Sequence, residues 1–180
     1  MKIERLESLE RLPEVYRLRV KAYSDSPCSS LVTPDRYPNG LSDHLEEMSV
    51  HFAAVDSGMI VGSARLTKLH SVKNLPYSKI FSKVVLPTER PFWFFSKLVV
   101  CPAARGHNLG ERMDRCRFDF LKQTESKTFA LMTAKKWRAR KLALVGWEAL
   151  GAVDSSLDPA YPYHSSEDTF ILVCRLPYDI

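Results

Sequence analysis

Residues 92–121 read FWFFSKLVVCPAARGHNLGERMDRCRFDFL, and the fold turns on how this stretch is read. Its opening run, residues 92–101, is apolar except for Ser96 and Lys97, the composition of a buried strand. Residues 102–108 are turn-prone, with Pro102, Gly106 and Asn108 among them. Leu109, Met113, Cys116, Phe120 and Leu121 then recur at helical spacing and predict an amphipathic helix. The first turn of a helix leaves about four main-chain N–H groups unpaired, and the dipole adds roughly half a positive charge there. Gly106 and Gly110 surround that end, so the main chain can approach an anion closely. Strand, loop and helix together suit a phosphate or pyrophosphate.

The segment resembles the acyl-CoA signature of the GNAT superfamily of N-acyltransferases. In that signature a strand ending in a V-x-V-like triplet is followed by R/Q-x-x-G-x-G/A and a helix. Leu98-Val99-Val100 stands at the triplet, and Arg105, Asn108 and Gly110 fall on the three motif positions. Asn108 replaces the first motif glycine, and Asn is the residue after Gly that best tolerates left-handed geometry. The resemblance implies an α/β fold: a mixed, mostly antiparallel central sheet splayed between strands 4 and 5, with helices on both faces. It implies acyl-CoA or acetyl-CoA as co-substrate, with main-chain groups of Leu98, Val99 and Val100 pairing with the pantetheine amides. Arg105, Gly106, His107, Asn108, Leu109, Gly110 and Glu111 would surround the pyrophosphate, and Arg105 and Arg112 would add charge. The reaction implied is direct attack of a small-molecule amine on the thioester in a ternary complex, with a strand N–H near Leu98 stabilising the oxyanion.

A second resemblance narrows the first. Residues 38–66, PNGLSDHLEEMSVHFAAVDSGMIVGSARL, then an insert with Leu75-Pro76, then residues 95–100, FSKLVV, are similar to acyl-homoserine-lactone and N-acyl amino acid synthases. Those enzymes take long acyl chains from acyl carrier protein and carry E-x-S-R on the central strand. Here that position reads Phe94-Phe95-Ser96-Lys97, so the glutamate is missing. Base candidates that remain are Glu46, Glu47, Asp43 and His51, and Ser96 is a candidate to orient the substrate or the thioester. The tyrosine that serves the family as leaving-group acid is also missing, and Trp147 at that place reads as a packing residue. Three readings stay open: an acyl-CoA N-acyltransferase, a long-chain synthase served by acyl carrier protein, and an acyl-CoA binding or sensing domain without turnover. Aromatic residues near the thioester site, Trp93 to Phe95, favour a donor longer than acetyl.

Bulk properties bound the class. At 180 residues, 45% hydrophobic and 26% charged, the chain is expected to be one globular domain. The start, MKIERLESLERL, is too charged for a signal peptide, and no apolar run reaches the ~20 residues of a membrane span. A cytoplasmic location is expected, with a homodimer as an open possibility. The cysteines Cys28, Cys101, Cys116 and Cys174 form no C-x-x-C pair and no zinc spacing with histidine, so no metal is expected. The net charge of +5 suits an anionic ligand or an acidic carrier, and no nucleic-acid reader motif is present.

The remaining elements follow from pattern. A strand is expected over residues 1–6 and a helix from Pro13 to Tyr23, with Arg17, Arg19 and Lys21 on its wetter side. Residues 24–40 read as a loop, and Ser42 or Asp43 caps a short helix to Met48. Strands at 50–55 and 59–66 join through Asp56-Ser57-Gly58, and an irregular insert fills 67–90. A strand at 128–133, a helix at 137–150 ended by Gly151, a strand from Val153, a loop to 168 and a strand at 169–176 complete the chain.

Overall fold

The computed structural model describes residues 1–23, 26, 31–124, 128–162 and 168–176. The chain divides into two compact units, Met1–Thr67 with Ser96–Phe120, and Lys68–Phe95 with Leu121–Ile180. Ten regular elements follow one another: β1 (Lys2–Arg5), α1 (Leu12–Tyr23), β2 (Val50–Asp56), β3 (Met59–Leu69), β4 (Phe92–Val100), α2 (Leu109–Gln123), β5 (Phe129–Lys135), α3 (Lys136–Ala143), β6 (Glu148–Ala152) and β7 (Thr169–Arg175). The strands lie in the order β1-β2-β3-β4-β5-β7-β6. β4 and β5 run parallel, whereas β1–β2, β2–β3, β5–β7 and β6–β7 are antiparallel. The mixed, mostly antiparallel α/β sheet is therefore present.

In the first unit, β2 and β3 meet in a tight hairpin. Ser57 and Gly58 both take positive φ, 47° and 82°, the twist that a two-residue hairpin loop needs. Gly40 has φ +86°, and a Cβ built on it would lie 2.4 Å from the Tyr16 carbonyl carbon. Its N–H donates to Tyr37, and Leu41 donates to the Tyr16 carbonyl at 3.0 Å, which seats the segment before β2 on α1. Gly40→Ala is therefore expected to cost more than about 2 kcal/mol. A melting scan is expected to show a fall of at least about 4 °C.

In the second unit, β5 is buried without alternation over Phe129, Ala130, Leu131 and Met132, the mark of a strand covered on both faces. Phe92 stacks on Phe129 with ring centroids 5.1 Å apart, and Phe81 meets Phe94 edge to face at 6.3 Å. The insert after β3 contains short 3-10 turns at Val72–Asn74 and Ser78–Phe81, in keeping with its irregular composition.

Four expectations need correction. Residues 42–48 form consecutive turns and no helix; Glu46 makes a cap-like bond to the Asp43 N–H at 3.2 Å while arginines hold its carboxylate. The late helix ends earlier than expected. Gly146, at φ 88°, closes it in a Schellman motif: Trp147 N–H donates to Leu142 and Gly146 N–H to Ala143. Gly151 instead lies within β6, and the strand expected from Val153 starts at Glu148 and ends at Ala152, because the early helix end frees those residues to pair with β7. Arg19 is on the buried stripe of α1, not its wet side. Of the loop expected over 24–40, residues 24, 25 and 27–30 lie outside the described residues, as does Cys28.

Candidate active site

β4 supplies the first part of the site. Its register with β5 covers Trp93, Phe94 and Phe95 against Ala130, Leu131 and Met132. Two residues later Lys97 takes a left-handed φ of 53°, an irregularity in the strand. Leu98, Val99 and Val100 follow it, with Val99 buried and its neighbours half-buried.

The loop after β4 is the second part. A 3-10 turn at Pro102–Ala104 brings the chain out of the strand, and the Arg105 N–H is taken by the Pro102 carbonyl at 3.2 Å. Gly106 at φ 88° and Asn108 at φ 52° are both left-handed. The α2 ladder begins with the Arg112 N–H donating to the Asn108 carbonyl at 3.0 Å, so the N–H groups of Leu109, Gly110 and Glu111 precede it. Leu109 anchors the helix at 2% exposure, while Gly106, His107, Asn108 and Glu111 are exposed.

The glycines of this loop are not explained by packing. A Cβ on Gly106 would meet nothing within 4 Å, and one on Gly110 only the Leu98 Cδ2 at 3.7 Å, an ordinary contact. At Gly110 the fold has room for a side chain, so its absence leaves main chain bare at a helix N-terminus. That chemistry fits the diphosphate of coenzyme A. The arginine side chains point elsewhere: Arg105 donates to the Ala22 carbonyl at 3.0 Å, at the end of α1, and Arg112 to the Met1 carbonyl at 3.2 Å.

A buried ionic cluster in the same unit is the third part. Glu46, His51 and Asp43, named from sequence as base candidates, and Ser96, named as an orienting residue, come together in it. Arg65 on β3 is fully buried. It donates to both Asp43 oxygens at 2.6 and 3.0 Å, to Glu46 Oε1 at 2.8 Å and, through Nε, to the Ser96 hydroxyl at 3.0 Å. Arg19 grips Glu46 from α1 in bidentate fashion, at 2.6 and 3.1 Å. Lys97 lies 3.2 Å from Asp43 Oδ2. Arg117 on α2 ties the layer above, donating to the Arg65 carbonyl at 3.1 Å and pairing with Asp114. The periodicity of α2 missed Arg117, and that of α1 missed Arg19, because a charged residue counts as polar in any apolar pattern.

Electrostatics separates the candidates. Burial opposes ionisation of Asp43, but the Arg65 hydrogen bonds and the Lys97 charge outweigh it and hold the carboxyl well below the usual carboxylate range. Burial pushes His51 below its ordinary value, against the opposing pull of Glu46. Its Nε2 donates to the Glu46 carbonyl at 2.8 Å, which leaves Nδ1 as the unprotonated nitrogen, buried without a hydrogen-bond partner. The folded state thus refuses a proton that the unfolded chain accepts below about pH 6.5. Stability is expected to fall as pH drops through that value, because there the unfolded state binds more protons. Urea midpoints at pH 7.5 and 5.5, roughly one unit either side of that value, are expected to show a smaller loss in His51→Gln.

Trp147 is 3% exposed and packs edge to face on Phe95 at 5.4 Å.

No protein-family model matches the sequence, and a search of curated proteins finds no match. Solved structures do match. BjaI, described as a CoA-dependent acyl-homoserine lactone synthase with SAM and isopentyl-CoA, superposes at TM-score 0.69 and 17% identity, over 96% of this chain and 82% of its own. FeeM, an N-acyl amino acid synthase from uncultured soil microbes, gives 0.68 at 9% identity, over 98% and 91%. A putative acetyltransferase of the GNAT family from Desulfovibrio desulfuricans gives 0.59 at 12% identity, over 97% and 99%. The chain has the GNAT fold. The loop from Arg105 to Glu111 leads from β4 into α2. Among the described residues no helix is long and apolar enough to cross a membrane, and no group of three His, Cys, Asp or Glu side chains gathers to hold a metal ion.

Proposed function

We propose that this protein is an N-acyltransferase that moves an acyl group from acyl-CoA to the amine of a small molecule. The observation that carries the reading is the bare main chain around Gly106–Gly110, with Asn108 left-handed, in the loop between β4 and α2. Leu98 to Val100 would pair with the pantetheine amides, and the N–H groups from Gly106 to Glu111 would hold the pyrophosphate. The amine nitrogen would bond to the thioester carbonyl carbon, the C–S bond would break, and the proton lost by the amine would pass to the thiolate through water. A strand N–H near Leu98 would receive the oxyanion.

Ser96 is the polar side chain best suited to orient the acceptor. Its oxygen accepts from Arg65, so its own proton is left for another partner. Glu46 is a poor base, because both of its oxygens already accept from arginine. We assign it to holding Arg19 and Arg65, and His51 to supporting Glu46 from below.

A second reading is a long-chain N-acyl amino acid synthase served by acyl carrier protein, and the fold shared with FeeM, itself an N-acyl amino acid synthase, supports it. Mass spectrometry of the protein mixed with acetyl-CoA, palmitoyl-CoA or acyl carrier protein loaded with palmitate, and either amino acids or simple alkylamines, tests both readings. Amide product from any pairing supports transfer, and preference for amino acids supports the second reading. Tight coenzyme retention without product would leave a binding or sensing domain instead.

A further inference from the structure

The structure assigns a second surface, on α3, to an anionic membrane. The helix and its flanks read KKWRARKLALV, residues 135–145, with five basic residues and no acidic one. Leu142 is its buried residue. Trp137, Arg140, Lys141 and Leu144 follow at i, i+3, i+4 and i+7, so they share the face opposite Leu142. Leu144 keeps helical geometry at the C-cap, with φ −67° and ψ −14°, and so extends that face by one residue.

This face runs against the habit of the rest of the molecule. The other two tryptophans, Trp93 and Trp147, are 5% and 3% exposed, whereas Trp137 is 57% exposed. Leu144 is 86% exposed at the tip. Each of the two basic residues between them faces solvent, and among the described residues neither meets a carboxylate; the Lys141 ammonium lies over the Trp137 ring at 5.9 Å. Asp168 is engaged by Lys136, at 3.2 Å. An indole, a protruding leucine and two cations on one short face form the pattern of an interfacial anchor. The basic residues meet lipid phosphates while the indole and the leucine enter the headgroup boundary. A folded acidic protein would satisfy the cations, but it would need a pocket shaped for Leu144 and a slot for Trp137. A fluid interface takes both without one. The inference is independent of the acyltransfer reading.

The test is cosedimentation of the full chain with phosphatidylcholine vesicles, with and without phosphatidylglycerol. Binding is expected only with the anionic lipid, weakening as salt rises. Tryptophan emission is expected to shift to the blue on binding, and the shift to vanish in W137F. R140Q/K141Q is expected to lower the partition coefficient roughly thirty-fold, at about five-fold per basic residue. Leu144→Ser is expected to weaken binding while leaving the melting temperature and acyl-CoA retention unchanged, which separates anchoring from folding. Equal binding to both vesicles, no binding at all, or an unaffected R140Q/K141Q variant would overturn the assignment. So would capture of acyl carrier protein through these residues in a protein that ignores vesicles.

Discussion

Glu46→Ala is expected to destabilise the protein by about 3–5 kcal/mol, the usual cost of removing one member of a buried ion pair. The carboxylate is 4% exposed and is the shared partner of Arg19 and Arg65, neither of which has any exposed side chain. Truncation would leave two guanidinium groups in a layer that excludes water. Arg19 would keep only its bond to the Leu41 carbonyl at 3.0 Å, and its buried Nε already lacks a partner. A fall in melting temperature of about 6–20 °C follows for a chain of this size. The exposed pair Arg175–Glu89, at 2.7 Å, is the control: Glu89→Ala is expected to leave the melting temperature unchanged. The same variants test the role of Glu46. If Glu46→Gln lost turnover while keeping wild-type stability, the carboxylate would be acting as a base and not as a clamp.

Gly110→Val is expected to weaken acyl-CoA binding at least about tenfold with little change in melting temperature. The Cβ has room beside Leu98 Cδ2, and valine is a better helix former than glycine, so the fold has no reason to object. The added methyl groups would occupy the space over the first N–H groups of α2, where the diphosphate is proposed to lie. Trp147→Phe is the matched control, because Trp147 packs on Phe95 and would leave affinity unchanged. Isothermal titration with coenzyme A and one acyl-CoA reads both variants. Equal affinity in all three proteins would show that the loop does not hold the coenzyme.

These two sites were unequally legible in the sequence. The loop was readable because its determinants are local: apolar strand, glycines, an asparagine able to adopt φ 52°, then helical spacing. The hairpin at Ser57-Gly58 was readable for the same reason. The ionic cluster was not, although Glu46, His51, Ser96 and Asp43 had each been singled out. Its arginines lie 27 and 19 residues from Glu46, and nothing local distinguishes a buried Arg19 from a wet one. At 42–48 Asp43 and Glu46 do make cap-like bonds, but the same carboxylates also bind arginines distant in sequence, and no helix follows. The early end of α3 hid behind a choice between Gly146 and Gly151, and the turn hydrogen bonds around Trp147 settle it.

Arg117 reaches back to the main chain of Arg65 and Ser96, 52 and 21 residues earlier. A nascent chain that stops short of residue 96 would hold Arg19 and Arg65 with their carboxylates but no hydroxyl for Arg65 Nε and no α2 above them. Completion of the cluster is thus a late event in synthesis, and a truncated product would be left with half-hydrated guanidinium groups where a dry interior should form. The same charges that knit the finished molecule would keep its fragments from passing as folded.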